Sequence, residues 1–256
     1  MKVHFLGTNG WYSTPTGDTP CILIDSKDQY VVFDAGNGLY KLDQYITEDK
    51  PISLFVSHFH IDHVSGFHTL NKFTFKQGLD IYVPSIKKEA FDMLVASPFT
   101  IPPKKLGMRV SVSELSEGEH KIGFTPTQSG IKVACKELFH AYRGFGYRIE
   151  LDGKTICYSG DTGICDASYE LFRDSNLLIH ECSFLPGQED TKGWGHVSPT
   201  EAAKLAKDCN VKKLVLTHFD ANQYRTLEKR KEAEKAAQAI FPNTAAATDG
   251  MTIELV

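Results

Sequence analysis

Apolar residues in this chain occur in short β-type runs, and most of the runs are bounded by glycine, proline, asparagine or aspartate. The strands predicted from these runs are residues 2–6, 21–25, 30–34, 52–57, 81–83, 131–139, 145–151, 155–159, 177–180, 213–217 and 252–255. Because strands recur along the whole chain and alternate with fewer helical stretches, the pattern favours an α/β (α+β) fold.

Three stretches repeat their apolar residues with helical spacing. Residues 198–201 read Ser-Pro-Thr-Glu, a capping box with proline at the first helical position, and they predict a helix over 201–208. Residues 227–240 carry charge on one face and alanine on the other, and a following proline ends that helix. A third helix is predicted over 87–95, whereas the proline-rich stretch 97–103 is typical of a surface loop.

Composition narrows the class of protein. Of the 256 residues, 41% are hydrophobic and 23% charged, so a core of ordinary size is expected. No repeat or long linker divides the chain, which predicts a single domain over residues 1–256. The net charge of -4 and isoelectric point of about 6.2 give no global attraction to nucleic acid or to an anionic membrane.

Cysteine placement and the absence of long apolar stretches set expectations for location. None of the six cysteines forms a CxxC pair, so a zinc knuckle or thioredoxin-like motif has no support. The sequence shows no signal peptide, and no apolar stretch reaches the roughly 20 residues that a membrane span requires. We therefore expect a cytoplasmic protein that does not bind membranes.

Six of the apolar runs end at a residue that can bind a metal or carry a proton. These residues are Asp34, His58, His140, Asp161, Glu181 and His218. Functional groups often collect where strands stop and loops begin, because the sheet positions them while the loop admits substrate.

The run His58-Phe59-His60-Ile61-Asp62-His63 is the strongest chemical signal. Three histidines and an aspartate within six residues are far denser than ten histidines in 256 residues would give. In an extended segment His58 and His60 point to one side and can share one ion, whereas Asp62 and His63 begin a turn into a helix and face a second. The alternative interpretation is a solvent-exposed histidine cluster.

Residues that follow distant strands complete two sets of four ligands. Each set counts Asp161, because the two oxygens of an aspartate can bridge two ions. The first set is His58, His60, His140 and Asp161; the second is Asp62, His63, His218 and Asp161. Considered alone, a histidine such as His140 or His218 is about as often an ordinary core or surface residue as a metal ligand. Such a mixed histidine and aspartate set suits two divalent ions, zinc first, with manganese or iron as alternatives.

The sequence resembles a known family over nearly its whole length. Besides the HxHxDH run, the similar segments are residues 7–10, 33–36, 57–66, 140, 146–149, 158–162, 178–181, 195–198 and 216–219. Together they resemble the metallo-β-lactamase superfamily and, more narrowly, ribonuclease Z and related phosphodiesterases. The resemblance implies a four-layer αββα sandwich and the same seven metal ligands.

The resemblance also gives roles to residues that spacing alone does not assign. His196 matches a residue that contacts the scissile phosphate or protonates the leaving oxygen, and Glu181 matches the carboxylate that orients it. Asp34 is expected to support a ligand histidine rather than to bind metal itself. The alternatives are an exposed loop histidine for His196 and a surface carboxylate for Glu181.

The predicted activity is hydrolysis of a small-molecule or nucleotide phosphodiester by a hydroxide bound between two metal ions. Asp62 is expected to accept a hydrogen bond from that nucleophile. Alternatives are cleavage of tRNA 3′ ends, hydrolysis of an ester, lactone or sulfate on the same scaffold, a di-iron redox protein, and a non-catalytic binding module. The family also implies a homodimer.

One departure from ribonuclease Z bears on the substrate. In long bacterial ribonuclease Z chains, the resemblance places a tRNA-clamping arm between the residues that match His140 and Asp161. Here only twenty residues lie between them, and they predict two strands joined by a tight hairpin at 151–154. RNA is therefore a disfavoured substrate.

Overall fold

The structure is a computed structural model that describes residues 1–85, 88–123 and 130–255. The strands are β1 (Lys2–Gly7), β2 (Asn9–Gly10), β3 (Cys21–Asp25), β4 (Tyr30–Phe33), β5 (Ile52–Phe55), β6 (Leu79–Pro84), β7 (Val110–Leu115), β8 (Gly118–Ile122), β9 (Ile131–Leu138), β10 (Gly144–Leu151), β11 (Lys154–Tyr158), β12 (Leu177–Glu181), β13 (Leu214–Thr217), β14 (Phe219–Asp220), β15 (Thr244–Ala246) and β16 (Thr252–Glu254). The α-helices are α1 (Ile61–Val64), α2 (Lys88–Leu94), α3 (Asp166–Phe172), α4 (Pro199–Asp208) and α5 (Leu227–Gln238). Asn37–Gln44, Ser65–Lys72 and Pro103–Lys105 form 3₁₀ helices.

The described strands form two seven-stranded sheets and one two-stranded ribbon. The first sheet has the order β16-β1-β3-β4-β5-β6-β7 and the second β15-β13-β12-β11-β10-β9-β8. Strands β4 to β7 are parallel to one another, as are β11, β12, β13 and β15. Parallel pairing brings the carboxyl ends of β5, β11, β12 and β13 to sheet edges where a site can form.

Side chains that alternate along the strands build the layers. In β4, Val31 and Phe33 pack in a core between the two sheets, whereas Tyr30 and Val32 face the opposite way. The outer face of the first sheet is covered by the 3₁₀ helices and α2, and that of the second by α3, α4 and α5. This is the predicted four-layer αββα sandwich, in which strands buried on both faces are apolar throughout.

The predicted strands are all present, with ends that shift by one or two residues. The helix predicted over 201–208 already begins at Pro199, and the one predicted over 227–240 ends at Gln238. The helix predicted over 87–95 covers Lys88–Leu94, and Lys87 lies outside the described residues.

The β10–β11 hairpin forms where the sequence predicted it, with Asp152 and Gly153 at positive φ in the turn. Within the residues that the structure describes, no helix is both long and apolar enough to cross a membrane. That residues 1–256 form a single domain stays a prediction.

Candidate metal centre

The seven predicted ligands converge at one edge of the sandwich. His58 and His60 lie in the loop after β5, and Asp62 and His63 lie in α1. The other three follow strands of the second sheet: His140 follows β9, Asp161 follows β11, and His218 follows β13. The local run 58–63 therefore lies next to three residues that follow strands of the second sheet.

The ligand atoms form two groups, which contain all four residues of the first predicted set and three of the four residues of the second. Atoms of His58, His60, His140 and Asp161 lie within 4.8 Å of one another. Atoms of a second group, Asp62, His63 and His218, meet the same limit. Three imidazoles with one carboxylate and two imidazoles with one carboxylate are donor sets typical of divalent transition metals.

Asp161 lies between the two groups. Its Oδ2 is 3.6 Å from His58 Nε2, and its Oδ1 is 3.3 Å from both His63 Nε2 and His218 Nε2. Each carboxylate oxygen thus faces a different group. This is the arrangement that a bridging ligand requires.

The buried polar atoms of the centre fit a metal better than they fit the protein alone. His58 Nε2, His63 Nε2 and Asp161 Oδ1 are buried and have no hydrogen-bond partner. A buried polar atom without a partner costs about 1–3 kcal/mol. A cation bound at each ligand group would give these three atoms a partner.

The electrostatics of the first group favour neutral imidazoles, the form that binds metal. Burial lowers the pKa of His58 well below its usual value and that of His60 to about 4. In the second group burial also opposes charge on His63, but Asp161, Asp62 and Asp34 outweigh it and raise its pKa. The carboxylates around the second group therefore favour a positive charge there, which a bound cation would supply.

Asp34 holds His63 in place from behind. Its Oδ2 accepts hydrogen bonds from His63 Nδ1 at 2.7 Å and from the Tyr158 hydroxyl at 2.6 Å. Its Oδ1 accepts the Ser57 backbone N–H at 2.7 Å. The carboxylate fixes the ring so that Nε2 points into the centre, as expected for a residue that supports a ligand.

Asp34→Asn should weaken metal binding by about 10- to 100-fold, because both carboxylate oxygens accept hydrogen bonds and the amide NH2 would place a donor against a donor. Zinc affinity measured by competition with a chromophoric chelator checks this. The matched control is Asp25→Asn, at the end of β3, where affinity should not change. Unchanged affinity in Asp34→Asn would contradict the supporting role.

His218 is fixed by the two-stranded ribbon β2–β14. Gly10 in β2 lies against its ring, and a Cβ at that position would stand only 2.5 Å from Cε1 of His218. Ser183 Oγ lies 3.1 Å from His218 Nδ1, which leaves Nε2 free to face Asp62 and Asp161. A larger residue at position 10 would displace this ring.

A buried arginine holds the same ribbon, although the sequence suggested a solvated charged face on α5. Arg230 donates to Thr8 Oγ1 at 2.7 Å, to the Ala247 carbonyl at 2.9 Å and to Asn9 Oδ1. Its guanidinium also lies 4.7 Å from the centre of the Phe219 ring. The arginine therefore ties α5 to the segment that carries His218.

Arg230→Met should lower the free energy of unfolding by about 2–4 kcal/mol, because it leaves buried acceptors unpaired. Urea unfolding followed by circular dichroism measures the change. Arg225→Met, at an exposed position just before the same helix, is the control and should shift stability by no more than about 0.5 kcal/mol. Equal stability of the two variants would contradict the structural role.

Glu181 and His196 form a pair next to the two ligand groups. His196 Nδ1 lies 2.6 Å from Glu181 Oε1, and Glu181 is fully buried rather than on the surface. Glu181 also accepts backbone N–H groups from Thr162 and Ser183. Burial alone would lower the pKa of His196, but the Glu181 carboxylate raises it to about 9.

A cavity of about 520 Å³ opens onto the centre. His196, Asp62, Asp161 and His218 line its polar side. The other wall of the cavity, which no sequence pattern indicated, is formed by the exposed side chains of Trp11, Ile61, Tyr142 and Trp194. Their position is set by contacts across the fold, so no local motif signals it.

Comparison with known proteins decides the family. A sequence profile described as a beta-lactamase superfamily domain matches residues 29–219, which include the seven converging residues. The chain belongs to the beta-lactamase superfamily. The predicted superfamily, its fold and the class of metal-dependent hydrolases are thereby confirmed.

Individual members of the superfamily match the chain over its full length. Ribonuclease Z from Methanosarcina acetivorans is 27% identical over 318 residues, covering 100% of this chain and 98% of that protein. The metallo-beta-lactamase fold protein YhfI from Bacillus subtilis superposes with a TM-score of 0.80 at 22% identity, covering 99% of each chain. The short form of human tRNase Z superposes with a TM-score of 0.75 at 26% identity, also covering 99% of each chain.

The family and the histidine and aspartate clusters indicate divalent metal ions. Which metal is bound, and the role of each ligand, stay predictions.

Proposed function

We propose that this chain hydrolyses phosphodiesters at a centre for two divalent metal ions, with zinc as the first choice and manganese or iron as alternatives. The observation that carries the proposal is His196, a histidine paired with buried Glu181 and facing the cavity beside Asp161 and His218. A protonated imidazole held there suits an anionic substrate whose leaving oxygen needs a proton.

The chain's own residues then divide the work. When bound, two divalent ions lower the pKa of water and offset charge on phosphate oxygens. The seven converging residues would hold the ions, with one oxygen of Asp161 facing each group. Asp62 accepts a hydrogen bond from the attacking water, and its carboxylate is kept in place by the Trp11 backbone N–H at 2.8 Å.

His196 acts on the other side of the scissile bond. Its Nδ1 is occupied by Glu181, so Nε2 is the nitrogen that contacts the phosphate or protonates the leaving oxygen. The buried carboxylate keeps the ring oriented and favours its protonated form. The pair therefore supplies the proton without requiring solvent at that position.

Cleavage of tRNA 3′ ends is the main rival, because the relatives named ribonuclease Z and tRNase Z match the chain over its length. Two observations favour smaller phosphodiesters. The segment between His140 and Asp161 is a plain β10–β11 hairpin. In the alignment to ribonuclease Z from Methanosarcina acetivorans, the 256 residues of this chain are spread over 318 positions, so that protein has segments with no counterpart here.

The test is a hydrolysis panel with zinc-loaded or manganese-loaded protein: phosphodiesters, phosphomonoesters, sulfate esters, lactones and a precursor tRNA. We expect phosphodiesters to give the highest kcat/KM. Cleavage of the precursor tRNA at a rate far above that of every small phosphodiester would overturn the preference, and sole activity on a lactone or sulfate ester would overturn the proposed reaction.

The proposal predicts a pH dependence. Since Glu181 raises the pKa of His196 to about 9, the acid is protonated at neutral pH and is lost as the pH rises through that value. The rate should therefore fall on the alkaline side near pH 9, and Glu181→Gln should move that fall to lower pH. The pH profile of kcat measures both, with Glu189→Gln on the exposed neighbouring loop as the control. An alkaline limb that is unchanged in Glu181→Gln would contradict the assignment.

Cytoplasmic location and a homodimer stay predictions. The six cysteines are free thiols in the structure, as expected for a protein of a reducing compartment. Light scattering of the purified protein measures the oligomeric state directly.

A further inference from the structure

Both tryptophans of the chain lie at the mouth of the metal centre. Trp11 and Trp194 line the cavity that contains Asp161 and His196, and they are 64% and 46% exposed. Ile61 and Tyr142 line the same cavity and are also largely exposed. Large apolar side chains grouped around a polar centre indicate a surface that is covered by a ligand.

Trp11 is held in its position at a conformational cost. Its φ of 72° lies in the left-handed region, which is rare and unfavourable for a bulky residue. The geometry is fixed on both sides: the backbone N–H donates to Asp62 Oδ2, and Gly10 before it packs on the His218 ring. The backbone that carries the Trp11 indole is thus hydrogen-bonded to Asp62, a member of the second ligand group.

Trp194 is fixed from the opposite wall. Its carbonyl accepts the Ala141 N–H at 3.0 Å, next to His140. Gly195 follows at a φ of 82°, and a Cβ there would lie 2.4 Å from the Phe139 carbonyl oxygen. The backbone of Trp194 is therefore held beside the segment that carries His140, and its side chain lines the same cavity as His140 and His196.

The cavity has few of the cations that a polynucleotide site requires. Among the described residues that line it, no lysine or arginine is present, and beside it Lys192 Nζ lies 4.6 Å from the centre of the Trp194 ring. The adjoining cavity has Arg143, and Glu137 already binds that guanidinium through both carboxylate oxygens. Nucleic-acid backbones are bound by several cations, whereas planar rings are bound by aromatic faces.

We propose that Trp11 and Trp194 bind an aromatic ring carried by one ester group of the substrate, so that the preferred substrates are aromatic phosphodiesters. This inference rests on the proposed phosphodiesterase function. The two tryptophans, here called the aromatic clamp, set which ester is accepted and take no part in the bond cleavage.

The test compares two phosphinates that mimic a phosphodiester and cannot be hydrolysed. Calorimetric titration of the zinc-loaded protein with methyl(phenyl)phosphinate and with dimethylphosphinate isolates the contribution of one ring. We expect the phenyl compound to bind at least about tenfold more tightly, since stacking on an aromatic side chain is worth about that factor or more. Its binding should also change the intrinsic tryptophan fluorescence.

Variants assign the effect to the clamp. Trp11→Leu and Trp194→Leu should each remove most of the preference, whereas Trp11→Phe and Trp194→Phe should retain it in part. Tyr12→Leu is the matched control, because Tyr12 is the next residue, is 50% exposed and does not line the cavity. Equal binding of the two phosphinates, or equal losses for both in the tryptophan variants, would overturn the proposal.

Hydrolysis by the same variants distinguishes an aryl ring from a nucleobase. Bis(4-nitrophenyl) phosphate and thymidine 5′-(4-nitrophenyl) phosphate are the two esters, and the preferred one should lose at least about tenfold in the leucine variants, in KM rather than kcat. No loss with either ester would overturn the clamp. If the protein hydrolyses neither ester, the phosphodiesterase proposal fails, and the phosphinate binding ratio still decides the clamp.

Discussion

Asp161→Ala should remove hydrolytic activity and lower the metal content at both positions. Asp161 has an oxygen toward each ligand group, at 3.3 Å and 3.6 Å from the nearest imidazole nitrogens. Its loss leaves His58, His60 and His140 on one side and Asp62, His63 and His218 on the other, without the charge that joins them. Since losing a supporting residue already costs 10- to 100-fold, we expect a loss of more than about 100-fold in kcat/KM.

Metal analysis of the purified variant, together with its kcat/KM, measures the effect of Asp161→Ala. Asp208→Ala, at the exposed end of α4, is the control and should keep both metal and activity. Circular dichroism shows whether the variant is folded, which matters because Asp161 is buried among histidines. Turnover close to that of the unmodified protein would rule out the bridging role.

His196→Ala should lower kcat by about 100- to 10,000-fold while the metal content stays unchanged. The reason is that we propose His196 as the proton donor and the seven other residues as the metal ligands. The test separates a proton donor from a metal ligand. Both roles have to be considered because a nitrogen of His196 also lies within 4.8 Å of ligand atoms of Asp161 and His218. Geometry alone permits it to bind metal.

The same two measurements, kcat and metal content, decide the role of His196. The control is His68→Ala, an exposed histidine that follows α1 and should affect neither. A variant that loses metal along with activity would show that His196 is a ligand. A variant with normal kcat would show that another group serves the leaving oxygen.

The dense cluster at His58–His63 could be predicted from sequence because its spacing is local. The distant partners could be predicted because apolar strands are easy to recognise and His140, Asp161 and His218 each follow one. The family resemblance added Glu181 and His196, which no spacing rule connects. In the structure they are joined by a 2.6 Å contact that spans fifteen residues of sequence.

Other parts of the fold escape sequence reasoning for physical reasons. Strands β7, β8 and β15 are edge strands of their sheets. Polar residues hide the strand pattern of β8, and β15 is only three residues long, whereas β7 does alternate apolar and polar residues and is nevertheless absent from the predicted strands. Helix α3 is seven residues long, and the 3₁₀ helices have a different period from the one sought.

Arg230 and Trp11 show a second limit, because their environments come from distant segments. The contacts of Arg230 with Thr8 and Asn9 join residues more than 200 positions apart. Trp11 adopts a left-handed backbone that only its contact with Asp62 and the packing of the ribbon explain. Neither feature leaves a periodic or compositional signal.

The central claim is that two divalent ions at this centre are required for phosphodiester hydrolysis. The most direct measurement is the rate of bis(4-nitrophenyl) phosphate hydrolysis by metal-free protein as zinc, or separately manganese, is added in known equivalents. We predict no activity without metal and a rise that reaches its maximum at about two equivalents per chain. Full activity in the metal-free protein, or saturation at one equivalent, would contradict the account.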